Sequence, residues 1–243
     1  MNPLIPARQL FPKSLLLAFG LVFAVQAQAA STDSPVFPAL SLVAGVLNQP
    51  LFPESPAYTT NDDIVIYSGD GVNLEANIFV PTEGKGPYPA VIFVNSWGLN
   101  EYEYLTEAGR LAERGYVVLS YSTRGWGESG GAINTAGPRD MNDFSNVVDW
   151  LIGNAPVDAN RIGASGISYG AGIALLGAAH DDRIQAVTAL SGWGSLVEAL
   201  YAQRTPRLVW GELLNVTGDL LGNPSPEIQE NWSNVKNHRN IEE

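Results

Sequence analysis

The sequence predicts an α/β fold in which a mostly parallel sheet begins with an antiparallel hairpin. Two continuous β-branched and aromatic runs, "PAVIFVN" and "YVVLSYS", are typical of strands buried on both faces of a parallel sheet. Segments with helical spacing alternate with these runs, as in other sheets flanked by helices. An Asp-Gly pair separates the first two strand-like runs, "DIVIYS" and "VNLEANIFV", which indicates a hairpin. The 243 residues suit one domain or slightly more.

Six strands and three core helices follow from this pattern. In the first helix, Leu105, Ala108 and Ala112 recur at helical spacing, and Gly115 suits its C-terminal cap. In the second, Met141 and Phe144 begin one apolar stripe. The predicted strands cover 63–68, 72–80, 89–95, 116–122, 161–166 and 186–192, and the predicted helices lie within 101–115, 140–153 and 169–179.

The chain divides into four predicted segments. Residues 1–29 form a signal peptide and 30–61 a Pro-rich lead-in. The α/β core covers 62–194, and 195–243 form a helical tail that resembles the start of a cap. Because no further strand pattern follows Gly192, we expect this tail to be incomplete and the C-terminal strands of the sheet to be missing.

The N-terminal segment has the pattern of a secretory signal. Arg8 and Lys13 precede an apolar run from Leu15 to Val25, and Ala27-Gln28-Ala29 is a small-x-small cleavage site. The run is well short of the roughly 20 residues that span a bilayer. The chain contains no cysteine, which excludes disulfides and a thiol nucleophile. We therefore expect a bacterial periplasmic or secreted protein.

The charge balance limits the partners. The chain carries 25 acidic and 13 basic residues, so its net charge is −12, and such a surface repels phosphate backbones and anionic lipid. We expect a small-molecule or peptide substrate, no nucleic acid, and no membrane contact after signal cleavage. Without cysteine and with two histidines, a zinc site is not expected.

A glycine-rich segment, "STRGWGESGG", follows the fourth strand. It lacks the Gly-Lys-Ser/Thr ending of a phosphate loop and is not followed at once by a helix. We therefore interpret it as a structural turn, expect no cofactor, and expect Arg124 within it to pair with a carboxylate.

The segment "GISYG" carries the main chemical signal. It follows a predicted strand and opens a predicted helix, which is the context that a Gly-x-Ser-x-Gly nucleophile turn requires. In such a turn the residues two before and two after the serine must be small, a condition that Gly166 and Gly170 meet. Ala171 and Gly172 would let the helix pack close to the strand. Ser168 is the candidate nucleophile; the alternative is a packing turn with an incidental serine.

Two backbone N–H groups are candidates for stabilising an oxyanion. One belongs to Tyr169, which follows the candidate nucleophile at the start of a helix. The other belongs to Trp97, in the loop after the strand at 89–95; the alternative for Trp97 is an ordinary packing role. Trp97, Trp126 and Trp193 all lie near the expected pocket and indicate no more than an apolar acyl group.

These residues resemble the α/β-hydrolase fold. The segments "SYSTRGWGESGG", "DMNDFSNVVDWL", "RIGASGISYGAG" and "DDRIQAVTALSGWG" are similar to X-Pro dipeptidyl-peptidases (peptidase S15) and cocaine-esterase-like acyl esterases, over roughly 62–195. This resemblance implies a serine hydrolase with Ser168 as nucleophile and Tyr169 as oxyanion donor. The chain has Asn95-Ser96 where many hydrolases have His-Gly.

The catalytic acid and base are not evident. In this fold an acid and then a histidine follow the serine, on loops after the seventh and eighth strands. His180 lies at the far end of the predicted helix that Ser168 opens, so we assign it to the helix terminus. His238 remains a weak candidate base, with Glu242 or Glu243 as its acid. We expect a reading frame truncated after strand six.

Three functional hypotheses stay open at this point. The chain is a serine hydrolase of acyl-esterase or X-Pro dipeptidyl-peptidase type that acts on ester or amide bonds through Ser168. Alternatively it is an inactive, truncated hydrolase-fold protein, or a non-catalytic binding module.

The signal peptide gives the first testable prediction. Signal cleavage is expected between Ala29 and Ala30, because Ala27 and Ala29 are the small pair that directly follows the apolar run. N-terminal sequencing of the exported protein measures this directly. A mature protein that still begins at Met1 would contradict the prediction.

Overall fold

A computed structural model describes residue 50, residues 52–237 and residue 239. The predicted signal peptide, most of the lead-in and His238 lie outside the described residues. The core is one six-stranded sheet, in the order β1-β2-β4-β3-β5-β6. Its strands are β1 (Tyr58–Tyr67), β2 (Asn73–Pro81), β3 (Tyr88–Val94), β4 (Val117–Tyr121), β5 (Val157–Ile167) and β6 (Ile184–Leu190).

One strand of the sheet, β2, runs against the other five. β1 pairs with β2 and β2 with β4 in antiparallel fashion, whereas β3 runs parallel to both β4 and β5, and β5 parallel to β6. The predicted α/β class, hairpin and parallel sheet are therefore confirmed. β1 begins at Tyr58, within the segment assigned to the lead-in, because Thr82 extends the pairing by donating to Ala57 O.

Helices cover both faces of the sheet. α1 (Leu105–Ala112) packs on one face with Phe79, Phe93 and Val118. The other face holds α2 (Pro138–Asn154) and α3 (Tyr169–His180), whose apolar side chains join the larger core cluster. After β6 come α4 (Leu196–Tyr201), a short 3-10 turn, α5 (Leu208–Leu221) and α6 (Pro226–Lys236). These helices make up most of the described part of the tail.

A buried arginine ties the hairpin to a helix. Arg124 is 2% exposed and donates through Nε and Nη2 to both oxygens of Asp143, at 2.7 and 2.6 Å. Its Nη1 donates to Asp70 in the β1–β2 turn at 3.0 Å, and this contact lowers the pKa of Asp70. Arg124 thus pairs with carboxylates, as expected, and joins the turn to α2.

None of the helices in the described part of the chain has the length and apolar character needed to cross a membrane. Within the same residues, no group of histidine, aspartate and glutamate side chains is arranged to hold a metal ion.

β6 leaves one edge of the sheet open among the described strands. Its outward side chains, including Thr188, are exposed, and open edges favour pairing between molecules. We expect Thr188→Lys to reduce self-association, because a charged edge residue opposes strand pairing. Sedimentation velocity at several concentrations measures the self-association, and Thr59→Lys on the opposite edge strand, β1, is the control. Equal association in wild type and Thr188→Lys would show that β6 is not the contact.

Candidate active site

Ser168 occupies a strained turn between β5 and α3. Its φ of 54° and ψ of −111° place a non-glycine residue at positive φ. Such a conformation persists only where surrounding contacts enforce it. Here the Ser168 N–H donates to Leu190 O on β6 at 2.8 Å, and the Ser168 carbonyl accepts from Gly172 N–H at 3.2 Å. The serine therefore lies at the carboxyl end of β5 and directly before the first turn of α3.

The two glycines of the turn are required by backbone contacts. A Cβ on Gly166 would lie 2.4 Å from the Gly170 carbonyl carbon, and a Cβ on Gly170 would lie 2.2 Å from Val94 O. Neither neighbour is a side chain that could move aside. At Gly172 a Cβ would meet the Trp193 ring at 2.5 Å, so this glycine accommodates an indole rather than the predicted close approach to the strand.

Asn95 organises the loop after β3. Its Nδ2 donates to the carbonyls of Ser96 and Leu99, at 3.0 and 2.9 Å, and its Oδ1 accepts from Thr123 N–H at 2.8 Å. The side chain is buried, so these bonds satisfy its amide in place of water. The sequence identified Asn95 only as a departure from His-Gly. In the structure it fixes the loop that carries Trp97.

Trp97 links this loop to the helical tail. Its Nε1 donates to Leu214 O and Thr217 Oγ1 of α5, both at 3.1 Å, and its ring packs edge-on against Trp126 and Tyr169. The backbone N–H groups of Trp97 and Tyr169 have no acceptor within the described residues. Trp97 therefore has a packing role through its side chain and a free backbone donor, so the two alternatives for it are compatible.

A cavity of about 310 Å³ opens beside Ser168. Its floor comes from the core and its walls from α4, α5 and α6. Among the non-aromatic side chains, the polar ones other than Ser168 are few: Thr135, Asn215 and Asn231, and no charged side chain of the described residues lines the cavity. The aliphatic and aromatic lining, which includes two tyrosines, comprises Trp97, Tyr169, Trp193, Leu196, Val197, Ala199, Leu200, Tyr201, Trp210, Leu214, Ile228, Trp232 and Val235.

The structure separates the three tryptophans that the sequence grouped. Trp97 and Trp193 line the cavity, whereas Trp126 is fully buried behind Trp97. Sequence reasoning missed Trp210 and Trp232, which lie on α5 and α6. Their helices were predicted, but no local sequence pattern indicates which face of a helix in the tail lines the cavity.

The candidate bases do not reach Ser168 in the described structure. His180 ends α3 whereas Ser168 precedes its first residue, so the length of α3 places them about 18 Å apart. His238 lies outside the described residues, as do Glu242 and Glu243. None of the described residues that line the cavity is a histidine or a carboxylate.

A buried carboxyl group lies behind Tyr169 and was not identified from the sequence. Asp140 Oδ2 is 3.5 Å from the Tyr169 hydroxyl, and burial raises the pKa of Asp140 to about 7, with repulsion by Asp143 as a second cause. Asp140 Oδ1, Tyr121 Oη, Thr123 Oγ1 and Trp126 Nε1 are buried without partners among the described residues. Internal water commonly binds such groups.

Comparison with known proteins identifies the family. The family model of the X-Pro dipeptidyl-peptidases (S15 family) matches residues 70–242, which is most of the chain. The chain belongs to the X-Pro dipeptidyl-peptidase (S15) family. This S15 chain therefore has the α/β-hydrolase fold, which the strand order and the turn at Ser168 already indicate.

Individual relatives agree with this assignment. PA2218 of Pseudomonas aeruginosa is 35% identical over 121 residues, which are 48% of this chain and 33% of that protein. YcjY of Escherichia coli K12 is 32% identical over 151 residues, or 54% of this chain and 48% of that protein. The S15 chain thus matches between a third and a half of the length of these two relatives.

Solved structures show the same fold. The crystal structure of PA2218 aligns with a TM-score of 0.57 at 24% identity, over 77% of this chain and 57% of that one. An acetyl xylan esterase from Paenibacillus sp. R4 aligns with a TM-score of 0.56 at 18% identity, over 94% and 78% of the two chains. At these identities the likeness concerns the fold alone.

The turn geometry predicts the effect of two glycine substitutions. Gly170→Ala should lower the free energy of unfolding by about 3 kcal/mol or more, because the new methyl group meets backbone rather than a movable side chain. Gly153→Ala in α2 is the control: its Cβ meets nothing within 4 Å, and alanine should stabilise the helix by about 0.5–1 kcal/mol. Urea unfolding measures both. Similar values for the two variants would contradict the close approach of α3 to β3.

Proposed function

We propose that the chain carries the nucleophile and oxyanion site of an ester hydrolase, with Ser168 as the nucleophile and uncharged, apolar acyl groups as substrates. The observation that carries this proposal is the position of Ser168, at a positive-φ turn beside a cavity without charged lining. Membership of the S15 family supports a hydrolase in general.

The chemistry assigns a role to each group. Ser168 Oγ attacks the ester carbonyl carbon, and the carbonyl oxygen becomes an oxyanion that the N–H groups of Tyr169 and Trp97 stabilise. One such donor contributes roughly 10² to 10³ in rate. The serine proton passes to a general base and then to the leaving alcohol, after which water releases the acyl group. The base lies outside the described residues, and His238 is the candidate within this chain.

The cavity favours an ester over an X-Pro peptide. A dipeptidyl-peptidase must bind the charged amino group at the end of its substrate, and a buried ammonium without a partner is strongly unfavourable. The described lining offers no carboxylate for such a group. An uncharged acyl group needs only apolar contact, which the tryptophan-rich walls supply. We place this activity in the periplasm or outside the cell, following the predicted signal.

The proposal predicts covalent labelling at one residue. A fluorophosphonate probe should label wild type on Ser168, as mass spectrometry of the digest would show, and Ser168→Ala should lose the label entirely. Ser233→Ala, which removes an exposed hydroxyl of α6, is the matched control and should label as wild type does. Label that persists in Ser168→Ala would refute Ser168 as nucleophile.

The same assay locates the base. If His238 serves, His238→Ala should reduce the labelling rate by several powers of ten, as loss of a triad histidine does. An unchanged rate in His238→Ala would exclude this histidine as the base. His180→Ala should label as wild type does, because His180 ends α3.

A further inference from the structure

The residue before the proposed nucleophile, Ile167, pairs with Leu190 of β6 on one side, and on the side towards β3 it is held by side chains instead of by a strand. β3 ends at Val94, whose pairing partner on β5 is Gly166, so β3 offers no partner to Ile167. Ile167 N–H donates instead to Tyr104 Oη at 3.0 Å, and Ile167 O accepts from Ser96 Oγ at 3.0 Å. Two side chains from the loop after β3 thus fix both polar groups of Ile167.

Glu103 completes this arrangement. Its Oε2 accepts from Ser96 N–H at 2.6 Å and its Oε1 accepts from Ser96 Oγ at 2.7 Å. Hydrogen bonds to a carboxylate are shorter and stronger than those between neutral groups. The adjacent Tyr104 ring stacks on Phe93 at 4.5 Å between centroids, which fixes the phenol that binds Ile167. Ser96 is therefore bound to Glu103 on one side and to β5 on the other.

This network connects the two donors of the proposed oxyanion site. Ser96 directly precedes Trp97, and Ile167 directly precedes Ser168 and Tyr169. A shift of Ser96 would move the Trp97 N–H relative to the Tyr169 N–H, although neither donor touches Glu103. We propose that Glu103 is a positioning residue that, through Ser96, sets the separation of the two oxyanion donors. The inference rests on the proposed function. Glu103 is absent from the cavity lining and so does not contact the substrate.

The hydrogen bonds require a particular protonation state. The Ser96 hydroxyl has one proton, so it cannot fully satisfy both an ionised Glu103 and Ile167 O. A protonated Glu103 donates its own O–H to Ser96 Oγ, and the Ser96 hydroxyl then donates to Ile167 O. Burial raises the pKa of Glu103 to about 7, and repulsion by Glu107 adds to this, while Ser96 and Tyr104 oppose it by hydrogen bonding. The network is therefore complete below about pH 7, and above this value Glu103 and Ile167 O share the single Ser96 hydroxyl proton.

The test removes the carboxyl group and, separately, replaces it by an amide of the same size. Glu103→Ala leaves both Ser96 groups without this partner, whereas in Glu103→Gln the amide oxygen can accept from Ser96 N–H and the NH₂ group can donate to Ser96 Oγ. We expect kcat for p-nitrophenyl butyrate, and the rate of fluorophosphonate labelling, to fall by about 10- to 100-fold in Glu103→Ala and to stay close to wild type in Glu103→Gln. KM should stay within about twofold in both variants because the cavity wall is unchanged. The ratio of the Glu103→Gln rate to the wild-type rate should rise as the pH increases through 7, because the amide does not ionise.

Two further variants separate positioning from general destabilisation. Glu107→Gln removes a neighbouring carboxylate whose pKa burial also raises. Glu107 lies in the first turn of α1 and not in the loop after β3, so this variant should retain wild-type rates. Ser96→Ala removes the hydroxyl bridge to Ile167 while keeping the backbone N–H, so its kcat should be intermediate. Ser96→Ala also tests the link if Glu103→Ala fails to fold.

The outcomes distinguish this inference from the proposed function. A wild type that the probe does not label on Ser168 overturns both. A labelled wild type with an equal labelling rate in Glu103→Ala overturns the role of Glu103 alone. In Glu103→Ala, a rise in KM as large as the fall in kcat would show a merely structural role. A ratio of the Glu103→Gln rate to the wild-type rate that does not change with pH would show the same, and either result overturns the role of Glu103.

Discussion

The close approach of α3 to the end of β3 is the constraint on which the site depends. Gly170 lies so near Val94 O that no side chain fits between them. This contact fixes where α3 begins, and hence the strained conformation of Ser168 one residue earlier. The strain is sustained because the serine is bound on both sides, to β6 through its N–H and to α3 through its carbonyl.

Polar side chains around the turn replace the backbone hydrogen-bond partners that are lost where β3 ends. Where β3 ends, Asn95 satisfies the loop carbonyls, and Ser96 and Tyr104 continue the hydrogen bonding of β5. Buried backbone groups that lose their strand partner need others, since an unpaired buried group costs about 1–3 kcal/mol. The site is thus built where regular sheet pairing ends, and the compensating groups are those that set the geometry of the backbone donors.

The sequence predicted the fold better than the site because the two depend on signals of different range. Continuous apolar runs and helical stripes are local, and they gave the order and class of the elements. The turn at Ser168 is also local, because its glycines and serine lie within five residues. β1 extends to Tyr58 through the polar stretch 59–63, where no alternating pattern marks a strand; its pairing with β2 determines it. Glu103, Asp140 and Trp232 escaped prediction because their roles arise only from contacts between distant elements.

The charge distribution bears on the turnover of the proposed reaction. Hydrolysis converts an uncharged ester into a carboxylate, and the described cavity lining contains no cation to bind it. An anion left in an apolar site is unfavourable, so the product is bound more weakly than the substrate. The net charge of −12 on the chain acts in the same direction outside the cavity, because it opposes the return of an anionic product. An apolar cavity in an acidic protein therefore favours entry of neutral esters and release of the acids formed from them.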